Sequence, residues 1–479
     1  MNYKIVLRVL AFLSIFLGFG MLLPLPFSYY YNSGDAQSLI ISAVICFAIG
    51  TLAFITTDKK NDLKTKDGFA IVTFGWIIMA LLGSLPYVLS GAIPTFTDAF
   101  FESMSGFTTT GSTILSDIES LPKGILLWRS ITHWFGGMGI IVLTIAILPF
   151  LGIGGMSLFK AESPGPISDR LKPRITQTAK LLWGVYLLFT ASELVLLMLG
   201  GMDFYNSLNH AFATLATGGF STYNSSIAGQ SAYIHYVIIF FMFLAGTNFS
   251  LHYHWLKGDF KSVIKSTEFQ FYFFMVLISS VFIFTDIYSM YEGAVEPAIR
   301  DVLFQVLAIV TTTGFATADF EQWSMASQVL ILALMFSGGM AGSTSGGMKI
   351  IRVMLLLKFA RKQFVKVLHP KAISPIKVGD TRIDDKVVHD VLGYFVLYIF
   401  ILAISIYLLI LFGLDFETAI GSAITAINNI GPGLNLTGPT DNFGFLPDFS
   451  KWLMSFLMLV GRLEVLTVII LLAPSYWKK

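Results

Sequence analysis

Four short stretches of this chain set threonine or asparagine within two residues of a glycine where an apolar run stops. They are Thr108-Thr109-Thr110-Gly111-Ser112-Thr113, Ala216-Thr217-Gly218-Gly219-Phe220, Thr311-Thr312-Thr313-Gly314-Phe315 and Asn428-Asn429-Ile430-Gly431-Pro432. The chemistry open to them is coordination by oxygen. Glycine reaches positive φ without a Cβ clash, so successive carbonyls can point the same way. Such carbonyls can replace the water shell of an ion, and a preceding threonine can add its hydroxyl. No carboxylate stands at any of the glycines, which favours a carbonyl-based cation site over an acidic ring. A single Thr-Gly pair in a membrane sequence is a packing or turn motif. Four in matching positions are not accounted for that way.

The elements that must position these loops are read from hydropathy. Of the 479 residues, 55% are hydrophobic and 13% charged, with a mean hydropathy of +0.74. Many apolar runs reach the length of about 20 residues that spans a bilayer core. The ten-residue alternation of a porin-like barrel is absent. The single cysteine, Cys46, excludes an internal disulfide and reads as a packed or lipid-facing thiol. The first apolar run has no small-residue cleavage site and reads as a retained span.

Two plain spans come first, near 6–29 and 37–57. Then one unit recurs: long span, short apolar piece, Thr/Gly loop, long span. The copies use 69–90, 94–107 and 124–150; 179–200, 204–216 and 231–256; 267–289, 298–312 and 324–357; and 386–412, 415–428 and 447–474. Self-similarity of this kind is an architectural signal. The expected fold is an all-α polytopic membrane protein with four parallel helix–pore loop–helix repeats around a pseudo-fourfold pore. It divides as an N-terminal two-span extension (1–67) and repeats over 68–178, 179–266, 267–385 and 386–479. Lysine and arginine concentrate at Lys59, Lys60, Lys64 and Lys66, at Lys160, Arg170, Lys172 and Arg174, at 257–265, over 349–386 and at Lys478-Lys479. Acidic residues (Asp117, Glu119, Glu292, Glu296, Asp319, Glu321, Asp441, Asp448) mark the opposite loops. The positive-inside rule then places both termini in the cytoplasm and brings all four short pieces in from the outer face. This is not the inverted arrangement of many secondary transporters. The C-terminal end of each short helix would face the cavity with partial negative charge, which suits a cation.

Two further features suggest a gate. Gly338 to Lys349 holds five glycines, two serines and a threonine inside an apolar run, a composition that cannot stay a stable helix. Its small residues also suit close helix packing. Gly246-Thr247-Asn248 is a smaller break of the same kind. Arg462 lies within the last apolar run, and Glu464 follows at a spacing that does not pair on a helix. Such an arginine faces an interior or wet cavity; it could also pair structurally with Glu193 or Glu102. His133, Trp134 and His252-Tyr253-His254 read as interfacial anchors, since no cysteine or paired carboxylate completes a metal site.

Together these stretches resemble the potassium-translocating subunit of bacterial Trk systems, the TrkH/TrkG type of the Trk/Ktr superfamily. The residues carrying the resemblance are Ser105 to Gly111, His133 to Gly139, Ala216 to Ser221, Thr311 to Phe315, Gly338 to Lys349, Asn428 to Gly433, and Gly461-Arg462-Leu463-Glu464. They span essentially the whole chain, and the extra N-terminal pair resembles the Trk branch. The resemblance implies a single-chain relative of tetrameric potassium channels in the bacterial cytoplasmic membrane. It implies a K⁺ filter of Thr109, Thr110, Gly111, Ala216, Thr217, Gly218, Thr312, Thr313, Gly314, Asn429, Ile430 and Gly431, with one filter glycine per repeat at Gly111, Gly218, Gly314 and Gly431. The fourth loop departs from the Thr-Gly pattern and lacks the threonine hydroxyl. A gate of Arg462 with Gly338, Gly339, Gly342, Ser343, Gly346, Gly347 and Lys349 is also implied. So are homodimerisation and a cytoplasmic TrkA-type ring of nucleotide-binding subunits.

No Walker loop or dinucleotide fingerprint occurs in this sequence. The chain therefore carries no cofactor of its own, and any ATP, ADP or NAD sensitivity is expected on the partner. Lipid and K⁺ are expected partners and nucleic acid is not. A K⁺/H⁺ or K⁺/Na⁺ symporter working by alternating access stays open as an alternative. An intramembrane enzyme would need a catalytic set that the sequence lacks.

Overall fold

The computed structural model describes residues 2–57, 65–146, 175–372 and 374–478. The basic residues expected at Lys59, Lys60, Lys64, Lys160, Arg170, Lys172 and Arg174 lie outside this set. Among the described residues, six helices are long and apolar enough to cross a membrane. Two bent pairs pass the same test together: Ala232–Ala245 with Phe249–Leu256, bent by 104°, and Asp448–Arg462 with Leu466–Leu472, bent by 112°. Helix Asp385–Leu411 is apolar beyond Asp390 yet leaves Val396, Phe400, Tyr407 and Leu411 exposed. An exposed apolar face of that extent belongs in lipid.

Among the described residues, four short helices lead directly into the Thr/Gly and Asn/Gly loops. Phe96–Phe107 packs on Thr65–Gly83, Lys123–Ala146 and Asp448–Arg462. Phe204–Leu215 packs on Lys123–Ala146, Ile175–Leu199 and Ala232–Ala245. Val295–Val310 packs on Ala232–Ala245, Thr267–Ile287 and Met325–Met335. Phe416–Asn428 packs on Met325–Met335, Asp385–Leu411 and Asp448–Arg462. Each of these four thus shares a flanking helix with the next, and the last returns to the first. Three begin on a side-chain cap that satisfies an orphan backbone N–H. Thr95 accepts from Asp98 N, Asp203 from Asn206 N and Asp415 from Thr418 N. The hydrogen bonds from Thr418 hold the Asp415 carboxyl below the usual carboxylate range.

The run 231–256 breaks at Gly246-Thr247-Asn248 as expected: the helix stops at Gly246 and restarts after Asn248, whose side chain accepts from Ser250 N. Two other expectations are corrected. The run 447–474 also breaks, at Leu463 to Val465, where Glu464 and Val465 take positive φ. The fold is not wholly α: Lys377–Val378 pairs antiparallel with Thr381–Arg382 around a turn in which Gly379 has φ +57°.

The N-terminal pair, Tyr3–Leu22 and Ala36–Ile55, packs on Thr65–Gly83 and Leu85–Ser90, and Asp35 ties it to the helix beyond. Buried Asp35 accepts from Ser33 Oγ at 2.6 Å, from Ser28 Oγ, and from Ile125 N at 2.7 Å. Ile125 lies in the first turn of Lys123–Ala146, where N–H groups have no helical partner and favour a negative charge. Asp35→Ala is expected to destabilise the protein by about 1–3 kcal/mol, the cost of leaving buried donors unsatisfied. Thermal unfolding in detergent reads this out, and an unchanged midpoint would refute the clamp.

Candidate functional site

Every short helix ends in the same backbone turn. Thr109 N donates to Gly106 O and Thr110 N to Ser105 O. Thr217 N donates to Thr214 O and Gly218 N to Ala213 O. Thr312 N donates to Ile309 O and Thr313 N to Ala308 O; Asn429 N donates to Ala426 O and Ile430 N to Thr425 O. This is the paired 5→2 and 6→1 closure of a Schellman turn, which needs one left-handed residue. That residue is Thr109, Thr217, Thr312 or Asn429, with φ of 52°, 55°, 56° and 55°. Asparagine accepts this region readily, whereas threonine does not, so three of the four turns hold backbone strain.

Two residues further on comes a glycine at positive φ: Gly111 (85°), Gly219 (79°), Gly314 (75°) and Gly431 (106°). The structural counterpart of Gly111 in the second loop is therefore Gly219, one residue beyond the expected Gly218. Gly218 instead holds the place of Thr110, Thr313 and Ile430, the residues that donate the 6→1 bond.

The four loops touch in sequence. A Cβ on Gly111 would strike the carbonyl of Gly218, and one on Gly219 would strike that of Thr313. One on Gly314 would strike Ile430 O, and one on Gly431 would lie 3.0 Å from Thr110 O. The cycle closes on itself. Its last joint is fastened by Ser112 Oγ, which donates to Gly431 O at 3.0 Å, and by Asn429 Nδ2, which donates to Thr110 Oγ1 at 2.9 Å. The missing hydroxyl of the fourth loop is thus replaced by an amide that grips the first. In loops one and three, paired threonine hydroxyls meet instead: Thr108 with Thr110 at 2.8 Å and Thr311 with Thr313 at 2.7 Å. Thr109, Thr110, Ala216, Thr217, Gly218, Thr312, Thr313, Asn429 and Ile430 are all buried in this cluster.

The segment from Phe336 to Lys349 is not helical and lies against the C-terminal ends of the short helices. Gly346 N donates to Thr312 Oγ1 at 2.7 Å, and a Cβ on Gly346 would crowd Asn428 O and the Asn429 side chain. Thr344 Oγ1 donates to Leu215 O at 2.9 Å. The opposite edge of the segment docks on the broken second-unit helix. Met340 N donates to Gly246 O at 2.9 Å, and Gly342 O accepts from Phe249 N at 3.1 Å. A Cβ on Gly342 would meet the Asn248 side chain, and one on Gly338 would strike the Gly346 carbonyl. Within the segment, Gly339 N donates to Ser345 Oγ at 3.0 Å, Ser343 Oγ meets Ser345 Oγ at 2.6 Å, and Lys349 Nζ donates to Ser345 O. Gly347 turns the backbone with φ +66°.

Arg462 ends helix Asp448–Arg462 and is buried. Its guanidinium donates to Thr344 O at 2.7 Å and to Gly136 O at 3.2 Å. It does not pair with Glu193 or Glu102, since Glu102 is taken by Arg129. Glu464 pairs instead with Arg352 at 2.5 Å, tying the last bend to helix Ile350–Leu368.

Several contributors escaped the sequence reading. Glu268, just inside helix Thr267–Ile287, accepts from Ala341 N at 2.9 Å and so holds the glycine-rich segment from the side. Its position after the cap Ser266 marks a helix start and nothing more. Thr344 and Gly136 gave no signal as arginine acceptors. His133 is not interfacial: it is buried, its ring stacked on Phe220 at 4.0 Å and wedged against Gly218. His252 is buried too, bonded to Leu244 O at 2.8 Å. Trp134 is partly buried and stacks on Phe212 at 4.9 Å.

Comparison with known proteins identifies relatives of the whole chain. The TrkH family, described as cation transport protein, matches residues 35–479. The chain is 38% identical over 488 residues to the Trk system potassium uptake protein TrkH of Escherichia coli K12, covering all of both chains. It is 37% identical over 479 residues to the potassium uptake protein TrkI of Halomonas elongata, covering 99% of this chain and 97% of that one. The crystal structure of the potassium transporter TrkH from Vibrio parahaemolyticus superposes with a TM-score of 0.92 at 35% identity, again over both full chains.

Proposed function

We propose that this chain, which belongs to the TrkH family of cation transport proteins, takes K⁺ into the bacterial cell through a gated, K⁺-selective pore. The observation that carries the reading is the closed cycle of four loops, each pressing a glycine against the carbonyl of the next. Close packing of this kind fixes the distance between facing carbonyls, and carbonyl number and spacing are what a selectivity filter uses. The four short helices direct their C-terminal ends, with partial negative charge, to the same place. The repeats over 68–178, 179–266, 267–385 and 386–479 then surround one axis in pseudo-fourfold fashion, with 1–67 as an added pair.

The segment Gly338 to Lys349 is the gate in this reading. It lies against three of the loops and short helices, and Arg462 holds its Thr344 carbonyl. The same arginine sets a positive charge below the filter, an electrostatic barrier to cations. Both termini face the cytoplasm of a bacterial inner-membrane protein, following the distribution of lysine and arginine. A TrkA-type nucleotide-binding ring on the basic stretch 349–386 and a homodimer complete the assembly that the family resemblance suggests.

The test is flux from purified protein in liposomes. A K⁺ gradient alone is expected to drive K⁺ movement, with Na⁺ at least about tenfold slower, a preference worth roughly 1.4 kcal/mol or more. K⁺ flux that requires an imposed H⁺ or Na⁺ gradient would replace the pore with a symporter.

A further inference from the structure

Behind the first and second loops lies an ion pair that neither the filter nor the gate includes. Arg129 and Glu102 are both buried, with exposures of 1% and 0%. Burying two charges is costly unless every donor and acceptor is satisfied, and here the satisfying groups are the loops themselves. Arg129 Nε donates to Glu102 Oε1 at 2.8 Å and NH2 approaches the same oxygen at 2.7 Å. NH2 also reaches Thr113 Oγ1 at 3.3 Å, and NH1 donates to Ser221 O at 3.3 Å. The guanidinium plane lies 3.9 Å from the centre of the Phe220 ring. Glu102 in turn accepts from Thr113 Oγ1 at 2.9 Å and from Ile114 N at 3.0 Å.

The register of these contacts is informative. Thr113 follows Gly111 by two residues, and Ser221 follows Gly219 by two. One arginine therefore joins equivalent points on the outward halves of adjacent loops. Glu102 stands nine residues before Gly111, and the same position in the other short helices is held by His210, Gln305 and Ser422. His210 Nε2 meets Ser221 Oγ at 3.0 Å, repeating the grip of Glu102 on Thr113, and Gln305 Nε2 donates to Ala318 O at 2.8 Å. Three of these four residues thus brace a loop, Ser422 has no hydrogen-bond partner among the described residues, and only Glu102 carries an ion pair.

We propose that Arg129 and Glu102 are positioning residues for ion selectivity. They hold the outward halves of the first two loops at a fixed separation, so that the carbonyls on that side cannot close around a smaller cation. The planar fork of Arg129 is required, because an ammonium cannot reach Glu102, Thr113 and Ser221 in one geometry. This rests on the reading of the loops as a cation filter.

The experiment compares Arg129→Lys, Glu102→Gln and Thr113→Val in liposomes, scoring the ratio of K⁺ to Na⁺ flux, which does not depend on how much protein folds. Thr113→Val keeps the side-chain shape and removes only the linking hydroxyl, so a measurable variant remains if a charge variant fails to assemble. Arg129→Lys and Glu102→Gln are expected to lower the ratio about tenfold, and Thr113→Val about threefold, while K⁺ flux itself persists. An unchanged ratio in Thr113→Val and in each charge variant that folds overturns the proposal. Gly314→Ser is measured alongside, since its Cβ strikes Ile430 O: if it lowers the ratio and the others do not, only the role of the pair fails. If none of the four moves the ratio, the filter reading fails with it.

Discussion

Gly314→Ser is expected to abolish discrimination between K⁺ and Na⁺ in purified, liposome-reconstituted protein. Two costs meet at this residue. Its φ of +75° strains any side chain, by about 1–3 kcal/mol. The added Cβ also strikes Ile430 O and approaches the Pro432 ring at 2.9 Å, so backbone rather than a yielding side chain must move. A displacement of the Ile430 carbonyl alters the very oxygen that the cycle positions. Since each tenfold change in preference corresponds to about 1.4 kcal/mol, the selectivity ratio should fall tenfold or more. Gly219→Ser and Gly111→Ser are expected to behave alike, because their Cβ atoms meet the carbonyls of Thr313 and Gly218. Gly431→Ser should be the mildest, with its nearest neighbour at 3.0 Å. An equal ratio in wild type and Gly314→Ser would rule out a filter at this place.

The second large effect concerns Arg462→Ala. Passive K⁺ efflux from loaded vesicles, with no partner protein present, is expected to rise about tenfold to a hundredfold. The side chain donates to Thr344 O and Gly136 O, both buried carbonyls, and a hydrogen bond from a charged donor contributes about 1.5–3 kcal/mol. Losing them frees the tip of the glycine-rich segment and removes a positive charge from beneath the loops. Arg462→Lys separates the two causes. It keeps the charge but cannot span both carbonyls, so an intermediate rise indicates tethering and a wild-type rate indicates a barrier of charge alone. Efflux from Arg462→Ala vesicles no faster than wild type would exclude Arg462 from the gate.

Much of this site was legible in the sequence because it repeats. Four Thr/Gly or Asn/Gly stretches between short and long apolar runs mark four loops, and the structure brings all four together. The register of the second loop was not legible. Gly218 and Gly219 are adjacent and identical, and only the backbone turn shows which one matches Gly111. The breaks at Gly246 to Asn248 and Leu463 to Val465 differ in the same way. A glycine and a cap-forming asparagine signal the first, whereas leucine, glutamate and valine give no local reason to end a helix. Val465 takes φ +49° because its surroundings impose it. His133 was misplaced because its ring packs on Phe220, 87 residues away, and periodicity cannot report such a contact. The Arg129–Glu102 pair was hidden for the same reason: each charge looks isolated in its own apolar helix.

The cycle of glycines and carbonyls has a consequence for how such chains diverge. A change in one loop is felt first by the loop ahead of it, through the carbonyl that its glycine faces. Substitutions that survive selection should therefore arise as coupled neighbours, position 111 with 218, 219 with 313, and 314 with 430, rather than across the ring. The joint between 431 and 110 is looser, with 3.0 Å where the others leave no room. It is the joint with the least crowding, but the φ of +106° at Gly431 still strains any side chain placed there, so even this position changes only together with its own backbone.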